Sequence, residues 1–379
     1  MPKTKILILY TAIGQGHKTI AENLGRVLAG QEFEIRLEDI HKVQAGSLVT
    51  ITTAIHQLIN RHVPIIWRWL YLSDTVIYLG RKFRMRLARR HSQRTLALIE
   101  EFDPAVIIAT QTTASAVIAY LKAAGLTTAR FGIAFSDFHL HQLWLYPQTD
   151  FYLCNIEEQK QEMVELGVPA GKIFVCGMLV EPLAPADVES ERLELGVLTG
   201  TKVVLVGTGS QGIGLSERKL QDFLERLLAK FNRIGLKVKI FVVCGKNAKL
   251  AARLKTNLNH EAISVLGFFT PMARLYRIAD AFVTKPGGLS ITEALSYQLP
   301  CAILYSLPGQ EELNIDYLRR ASLIMPPVSR RQPDVYRLIL QVVEEVRTGD
   351  FRRILRKNPQ LAAVVKTQLP DEVLQLLHS

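Results

Sequence analysis

Unbroken apolar runs alternate with segments of helical period along most of this chain. Residues 4–10, 105–110, 130–135 and 151–154 read as strands, and helical patterns occupy 17–29, 112–124 and 157–166. The pattern then restarts, with strands near 202–207, 237–243, 263–266, 281–284 and 301–304 and helices near 216–232, 247–257, 290–298 and 311–320. Runs such as Ala105-Val106-Ile107-Ile108-Ala109 and Val203-Val204-Leu205-Val206 lack the polar alternation of a half-exposed sheet. They suit parallel strands covered on both faces. The alternation predicts an α/β protein with βαβ logic twice over.

Pro182, Pro185 and the polar stretch Asp187–Arg192 interrupt the pattern. That break places a predicted boundary between a first domain, 1–185, and a second, 186–379. Leu338, Ile339, Val342, Val343 and Val346 repeat at helical spacing, so the last fifty residues are predicted to be packed helices of the second domain. Two parallel-sheet domains facing each other present a cleft at the carboxyl ends of their strands, where such folds bind ligands.

Composition narrows the class. A chain of 379 residues, 48% hydrophobic and 21% charged, is globular and long enough for two domains. No run of about 18 apolar residues predicts a spanning helix. The chain enters its first strand without a charged-then-apolar leader, and Cys154, Cys176, Cys244 and Cys301 show no paired spacing. Small buried cysteines of a reducing, cytoplasmic compartment are expected.

The net charge of +11 is concentrated. Between Ile40 and Ile99 the only acid is Asp74, against Lys42, Arg61, Arg68, Arg81, Lys82, Arg84, Arg86, Arg89, Arg90 and Arg94. Trp67, Trp69, Tyr71, Tyr78 and Phe83 are interleaved among them. Cations beside indole and phenol rings suit an anionic lipid surface. Two other readings stay open at this level: nucleic-acid binding, and a solvated basic helix packed on a core by its aromatics.

Candidate chemistry lies at strand-to-helix junctions. Lys285-Pro286-Gly287-Gly288-Leu289-Ser290 follows the strand 281–284 and opens a helix. The glycine pair admits a ligand to the backbone, and the N–H groups of a first helical turn favour an anion. Glu293 falls about one turn further, where its carboxylate meets ribose hydroxyls. The stretch reads as a nucleotide-diphosphate seat. A second glycine-rich loop, Gly207-Thr208-Gly209-Ser210-Gln211-Gly212-Ile213-Gly214, offers another anion nest, with Gly209, Ser210 and Gln211 as candidate contacts. Gln310, Glu311 and Asn314, after Leu307-Pro308-Gly309, supply donors and acceptors for sugar hydroxyls, although an ordinary helix start has the same acidic first turn.

The first junction, Thr11-Ala12-Ile13-Gly14-Gln15-Gly16-His17, has Gly14 and Gly16 but Thr19 where a dinucleotide fingerprint wants a third glycine. It presents His17 at a helix start, as a capping histidine or as a general base toward an acceptor hydroxyl. Asp137, after the strand 130–135, is placed to orient a histidine or share its role. His139 and His141 lack a third partner for a metal, and no Asp-x-Asp pair occurs in the chain. No metal and no cofactor are therefore expected, and leaving-group charge falls to helix N-termini and Lys285.

Together these blocks resemble the diacylglycerol glycosyltransferases, both the bacterial processive diacylglycerol glucosyltransferases and the monogalactosyldiacylglycerol synthases. The match runs from Gly14-x-Gly16-His17 through Ser136-Asp137-Phe138 and Val243–Asn247 to Lys285–Gly288 and Pro308–Glu311. The resemblance implies a GT-B fold of two Rossmann-like domains and a metal-independent, inverting transfer of hexose from UDP-glucose or UDP-galactose to diacylglycerol. It implies Gly287, Gly288 and Ser290 at the diphosphate, Glu293 at the ribose, Gln310 and Glu311 at the hexose, and His17 at the acceptor. Gly14, Gly16, Trp67, Trp69, Arg81, Lys82, Arg84 and Arg86 then belong to the acceptor and membrane region. Anionic lipids rather than nucleic acid become the expected partner, at the cytoplasmic face of the cell membrane. A lipid-linked N-acetylglucosaminyl transferase and a UDP-N-acetylglucosamine 2-epimerase share the fold and are the alternatives.

Overall fold

The computed structural model describes residues 3–12, 15–44, 73–212, 214–306, 309–326 and 334–378. Gly14, Trp67 and Trp69 lie outside them. The chain divides into two compact units, the first formed by Met1–Glu181, Pro308–Gln310 and Ala363–Ser379, the second by Pro182–Leu307 with Glu311–Ala362.

The first unit is built on six parallel strands: β1 (Thr4–Tyr10), β2 (Phe33–Asp39), β3 (Val106–Ala109), β4 (Arg130–Ala134), β5 (Phe151–Cys154) and β6 (Ile173–Val175), in the order β2-β1-β3-β4-β5-β6. β1 is flanked on both sides, with Leu7 opposite Arg36 and Ile107. Side chains alternate across a strand, so Leu7 and Leu9 enter one buried cluster with Val117 and Phe131 while Ile6 and Ile8 enter another with Leu24 and Leu28. Both faces are covered, which is why β1 reads as an unbroken apolar run.

Two strands of this six-stranded sheet are not expected from the sequence, and both are its edges. β2 is Phe33-Glu34-Ile35-Arg36-Leu37-Glu38-Asp39, an alternating sequence that a search for continuous apolar runs passes over. β6 is only three residues long.

The second unit has β8 (Lys202–Gly207), β9 (Val238–Val243), β10 (Ile263–Leu266), β11 (Ala281–Thr284) and β12 (Cys301–Ile303), all parallel, in the order β10-β9-β8-β11-β12. The helix Glu217–Arg233 buries Leu220, Phe223, Leu224, Leu227, Leu228 and Phe231, one stripe at helical spacing against this sheet's core. The helix Val335–Thr348 adds Leu338, Ile339, Val342, Val343 and Val346 to the same core.

The chain end corrects the predicted second domain of 186–379. After residue 362 it returns to the first unit, where β13 (Val365–Lys366) pairs with β7 (Met178–Leu179). Leu369, Val373 and Leu377 pack with Ile6 and Ile8, and the His378 ring stacks on Phe33 at 4.2 Å. Helical periodicity shows that a helix packs; it carries no information on which sheet receives it. All four cysteines are free and buried, and burial pushes their thiols up, Cys244 to about 11 and Cys154 to about 12.

Candidate active site

In the second unit the carboxyl end of β11 leads through Lys285-Pro286-Gly287 into the helix Gly288–Ser296. Asp187, Ser216, Asn247 and Asp334 cap other helices of the unit with side-chain acceptors. Gly287 offers none, so no side chain caps the first-turn amides here. Its backbone (φ −71°, ψ 125°) suits any residue, and a Cβ placed on it would meet no atom within 4 Å. Neither conformation nor packing requires glycine at 287. The amides and the positive end of the helix dipole form an anion-binding geometry.

The neighbouring loop is different. Gly209, Gly212 and Gly214 have φ of 76°, 59° and 113°, which glycine adopts without strain. A Cβ on Gly209 would collide with the Lys285 side chain, and one on Gly212 with the Cys244 carbonyl. Lys246 N–H donates to the Ser210 carbonyl at 2.9 Å, Asn247 Nδ2 to the Gly212 carbonyl at 2.9 Å, and Tyr305 Oη to the Thr208 carbonyl at 2.9 Å. Turn geometry and packing both call for glycine at these positions. Gln211 sits half-buried in the same turn.

The helix Gln310–Arg320 clamps the Lys285–Gly287 segment. Lys285 Nζ lies 2.7 Å from Glu311 Oε1, and Asn314 Nδ2 donates to the Pro286 carbonyl at 3.1 Å. Asn314 is fully buried, one turn beyond Gln310 and Glu311. Ser290 and Glu293 are half-buried on the helix after the glycine pair. The Tyr276 hydroxyl donates to Glu293 Oε2 at 3.5 Å, and burial, reinforced by the Glu293 charge, raises the Tyr276 phenol well above 10. Tyr276 escaped the sequence analysis because its helix, Ala273–Ile278, is too short to show a period.

In the first unit the helix Gln15–Ala29 follows β1 and holds His17 in its first turn. Thr110 Oγ1, just beyond β3, donates to the His17 carbonyl at 3.0 Å, and the Trp144 ring centroid is 6.2 Å from the imidazole. His17 Nδ1 is enclosed without a hydrogen-bond partner. Burial lowers the His17 pKa below 6.5, and the Asp137 carboxylate partly opposes that shift. The two predicted residues lie near enough for the Asp137 charge to act on the imidazole. Asp137 accepts from Ser136 Oγ at 3.2 Å. A Cβ on Gly16 would meet nothing within 4 Å. His141 Nδ1 accepts from the Leu143 N–H at 3.2 Å and caps the turn Gln142–Trp144, which explains it as a structural residue.

The helix Asp74–His91 contains the basic residues Arg81, Lys82, Arg84 and Arg86. Ile77 and Ala88 are buried, whereas Leu79 and Phe83 are 58% and 61% exposed. Leu79, Phe83, Arg86 and Arg90 follow one another by four, three and four residues, which puts them on one face. Packing by aromatics does not hold at Phe83, whose ring lies outside. Among the described residues no helix is long and apolar enough to cross a membrane, and no three His, Cys, Asp or Glu side chains converge on a metal position.

Two parallel-sheet units, one with an uncapped glycine helix start beside a buried carboxylate and lysine, define a glycosyltransferase of the GT-B class. Residues 17–180 match the model of the monogalactosyldiacylglycerol synthase family, and residues 203–317 match the C-terminal domain of glycosyltransferase family 28. The chain is thus similar to the diacylglycerol glycosyltransferases over nearly its whole length. It is 27% identical over 376 residues to a processive diacylglycerol beta-glucosyltransferase of Bacillus pumilus, covering 98% of this chain and 95% of that one. Among solved structures it resembles a UDP-glucosyltransferase from Polygonum tinctorium (14% identity, 100% and 99% coverage, TM-score 0.64). It also resembles a UDP-GlcNAc 2-epimerase from Neisseria meningitidis (11% identity, 99% and 100% coverage, TM-score 0.59). At those identities the likeness is one of fold.

Proposed function

We propose that this enzyme moves a hexose from a UDP-sugar, UDP-glucose or UDP-galactose, to diacylglycerol at a membrane surface, producing a β-glycosyl diacylglycerol. The observation that carries the donor assignment is Gly287, whose missing side chain serves neither its own backbone nor any neighbour. A diphosphate against the first-turn amides explains it. Glu293 binds the ribose hydroxyls, with Tyr276 holding one carboxylate oxygen. Ser290 contacts the diphosphate, and Gln310 and Glu311 contact the hexose. The helix N-terminus and Lys285 stabilise the charge that develops on departing UDP, so the reaction needs no divalent ion.

The proposed base is His17. As the acceptor oxygen bonds to the anomeric carbon from the face opposite the diphosphate, its proton passes to the His17 imidazole. The bond between that carbon and the β-phosphate oxygen breaks, and UDP leaves. One displacement converts an α-linked donor into a β-glycoside. A lowered pKa keeps His17 neutral and basic at cellular pH.

The exposed Leu79 and Phe83 with Arg86 and Arg90 support a peripheral, anionic-lipid-facing surface on the cytoplasmic side, where an epimerase acting on a soluble sugar has no use for one. His17→Ala tests the assignment. Turnover falls at least about a hundredfold while UDP binds as before. Activity that survives the change transfers the role of base to Asp137.

A further inference from the structure

We propose that Gln159 and Asn155 are positioning residues for the reaction, two buried amides that fix the backbone of the loop carrying Asp137 and so set where its carboxylate stands relative to His17. The proposal rests on the reading of His17 as the base, with Asp137 as the carboxylate that orients it.

The loop leaves the sheet after β4. Phe135 N–H still donates to the Leu153 carbonyl at 3.2 Å, continuing the ladder with β5. From there two side chains take the place of a neighbouring strand. Asn155 Nδ2 donates to the Phe135 carbonyl at 3.2 Å and to the Asp137 carbonyl at 2.9 Å. Gln159 Nε2 donates to the Asp137 carbonyl at 2.9 Å and to the His139 carbonyl at 3.0 Å. Three alternate carbonyls are thus engaged by two amides, and the one engaged twice belongs to Asp137.

The amides are themselves fixed. Gln159 Oε1 accepts the Asn155 N–H at 2.8 Å, which turns Gln159 Nε2 toward the loop. Asn155 and Gln159 are 4% and 1% exposed, so water does not compete for these bonds. Asn155 directly follows β5, and Gln159 stands in the first turn of the helix Glu157–Glu165. Buried amides bonded in this way hold a backbone to the tolerance that proton transfer requires.

The experiment compares Gln159→Glu, Asp137→Asn and the double variant in glycosyl transfer to diacylglycerol vesicles, with thermal unfolding as a check on folding. Gln159→Glu keeps the size and the acceptor for Asn155 N–H but faces the Asp137 and His139 carbonyls with an acceptor. The expected result is a kcat lower by about 10- to 100-fold with the donor KM within about twofold of the parent. In the Asp137→Asn background the same change costs less than about threefold further, since the residue it positions is already gone. Asn155→Asp, expected to behave alike, takes the place of Gln159→Glu if that variant does not fold. Full activity of the Gln159 and Asn155 variants, or effects that multiply with Asp137→Asn, overturns the positioning role alone. An unchanged kcat in Asp137→Asn overturns the acid–base reading and the proposal with it.

Discussion

Lys285 reaches across Gly209 to place its ammonium 2.7 Å from the Glu311 carboxylate, joining the start of the diphosphate seat to the helix Gln310–Arg320. The pair is largely withdrawn from water, with side-chain exposures of 23% and 9%. A charged hydrogen bond in such a place stabilises more than a surface ion pair. Lys285→Ala takes the ammonium from a buried carboxylate and is expected to cost about 2 kcal/mol in urea unfolding. Glu311→Gln leaves Lys285 a carbonyl acceptor in the same position and costs less, about 1 kcal/mol. The opposite order contradicts this account of the clamp.

Gly287 separates a structural glycine from a functional one. Its φ of −71° and the absence of any atom within 4 Å of an added Cβ leave alanine free of strain. Gly287→Ala therefore leaves the unfolding free energy within about 0.5 kcal/mol of the parent. In calorimetric titration it weakens UDP binding about tenfold or more, since the methyl group stands where the phosphate approaches the amides. Equal UDP affinity in the variant removes the diphosphate from this helix start.

The pH dependence follows from His17. Burial holds its pKa below 6.5 and the Asp137 charge acts the other way. The neutral imidazole is the base, so kcat/KM declines as pH falls through that lowered pKa, and the acid limb has its midpoint below 6.5. Asp137→Asn deletes the opposing influence and moves the limb to still lower pH. A limb that shifts upward in the variant contradicts the pairing.

The chain states its interior strands openly because both faces of each sheet are buried, as at β1 and β8. The edges are less legible: β2 alternates apolar with charged residues, and β6 is too short to show a pattern. The helix Asp371–His378 announces an apolar stripe but not its destination on the first sheet. At the site, the glycine pair at 287–288 and His17 are local signals at strand-to-helix junctions. The Lys285–Glu311 pair, the burial of Asn314 and the amides that hold Asp137 join residues 18 to 28 positions apart or fold a side chain inward. Spacing along the chain does not encode those contacts. The glycines of 207–214 also answer to turn geometry and to packing against Lys285 and Cys244, contacts that the pattern alone does not encode.

The central claim, hexose transfer to diacylglycerol, is tested most directly by product analysis. The protein is mixed with liposomes of diacylglycerol and anionic lipid and offered UDP-glucose, UDP-galactose or UDP-N-acetylglucosamine in parallel, with EDTA present. The account predicts a β-glycosyl diacylglycerol from UDP-glucose or UDP-galactose, undiminished by the chelator. Donor consumption without a lipid product, or transfer that stops when divalent ions are removed, contradicts it.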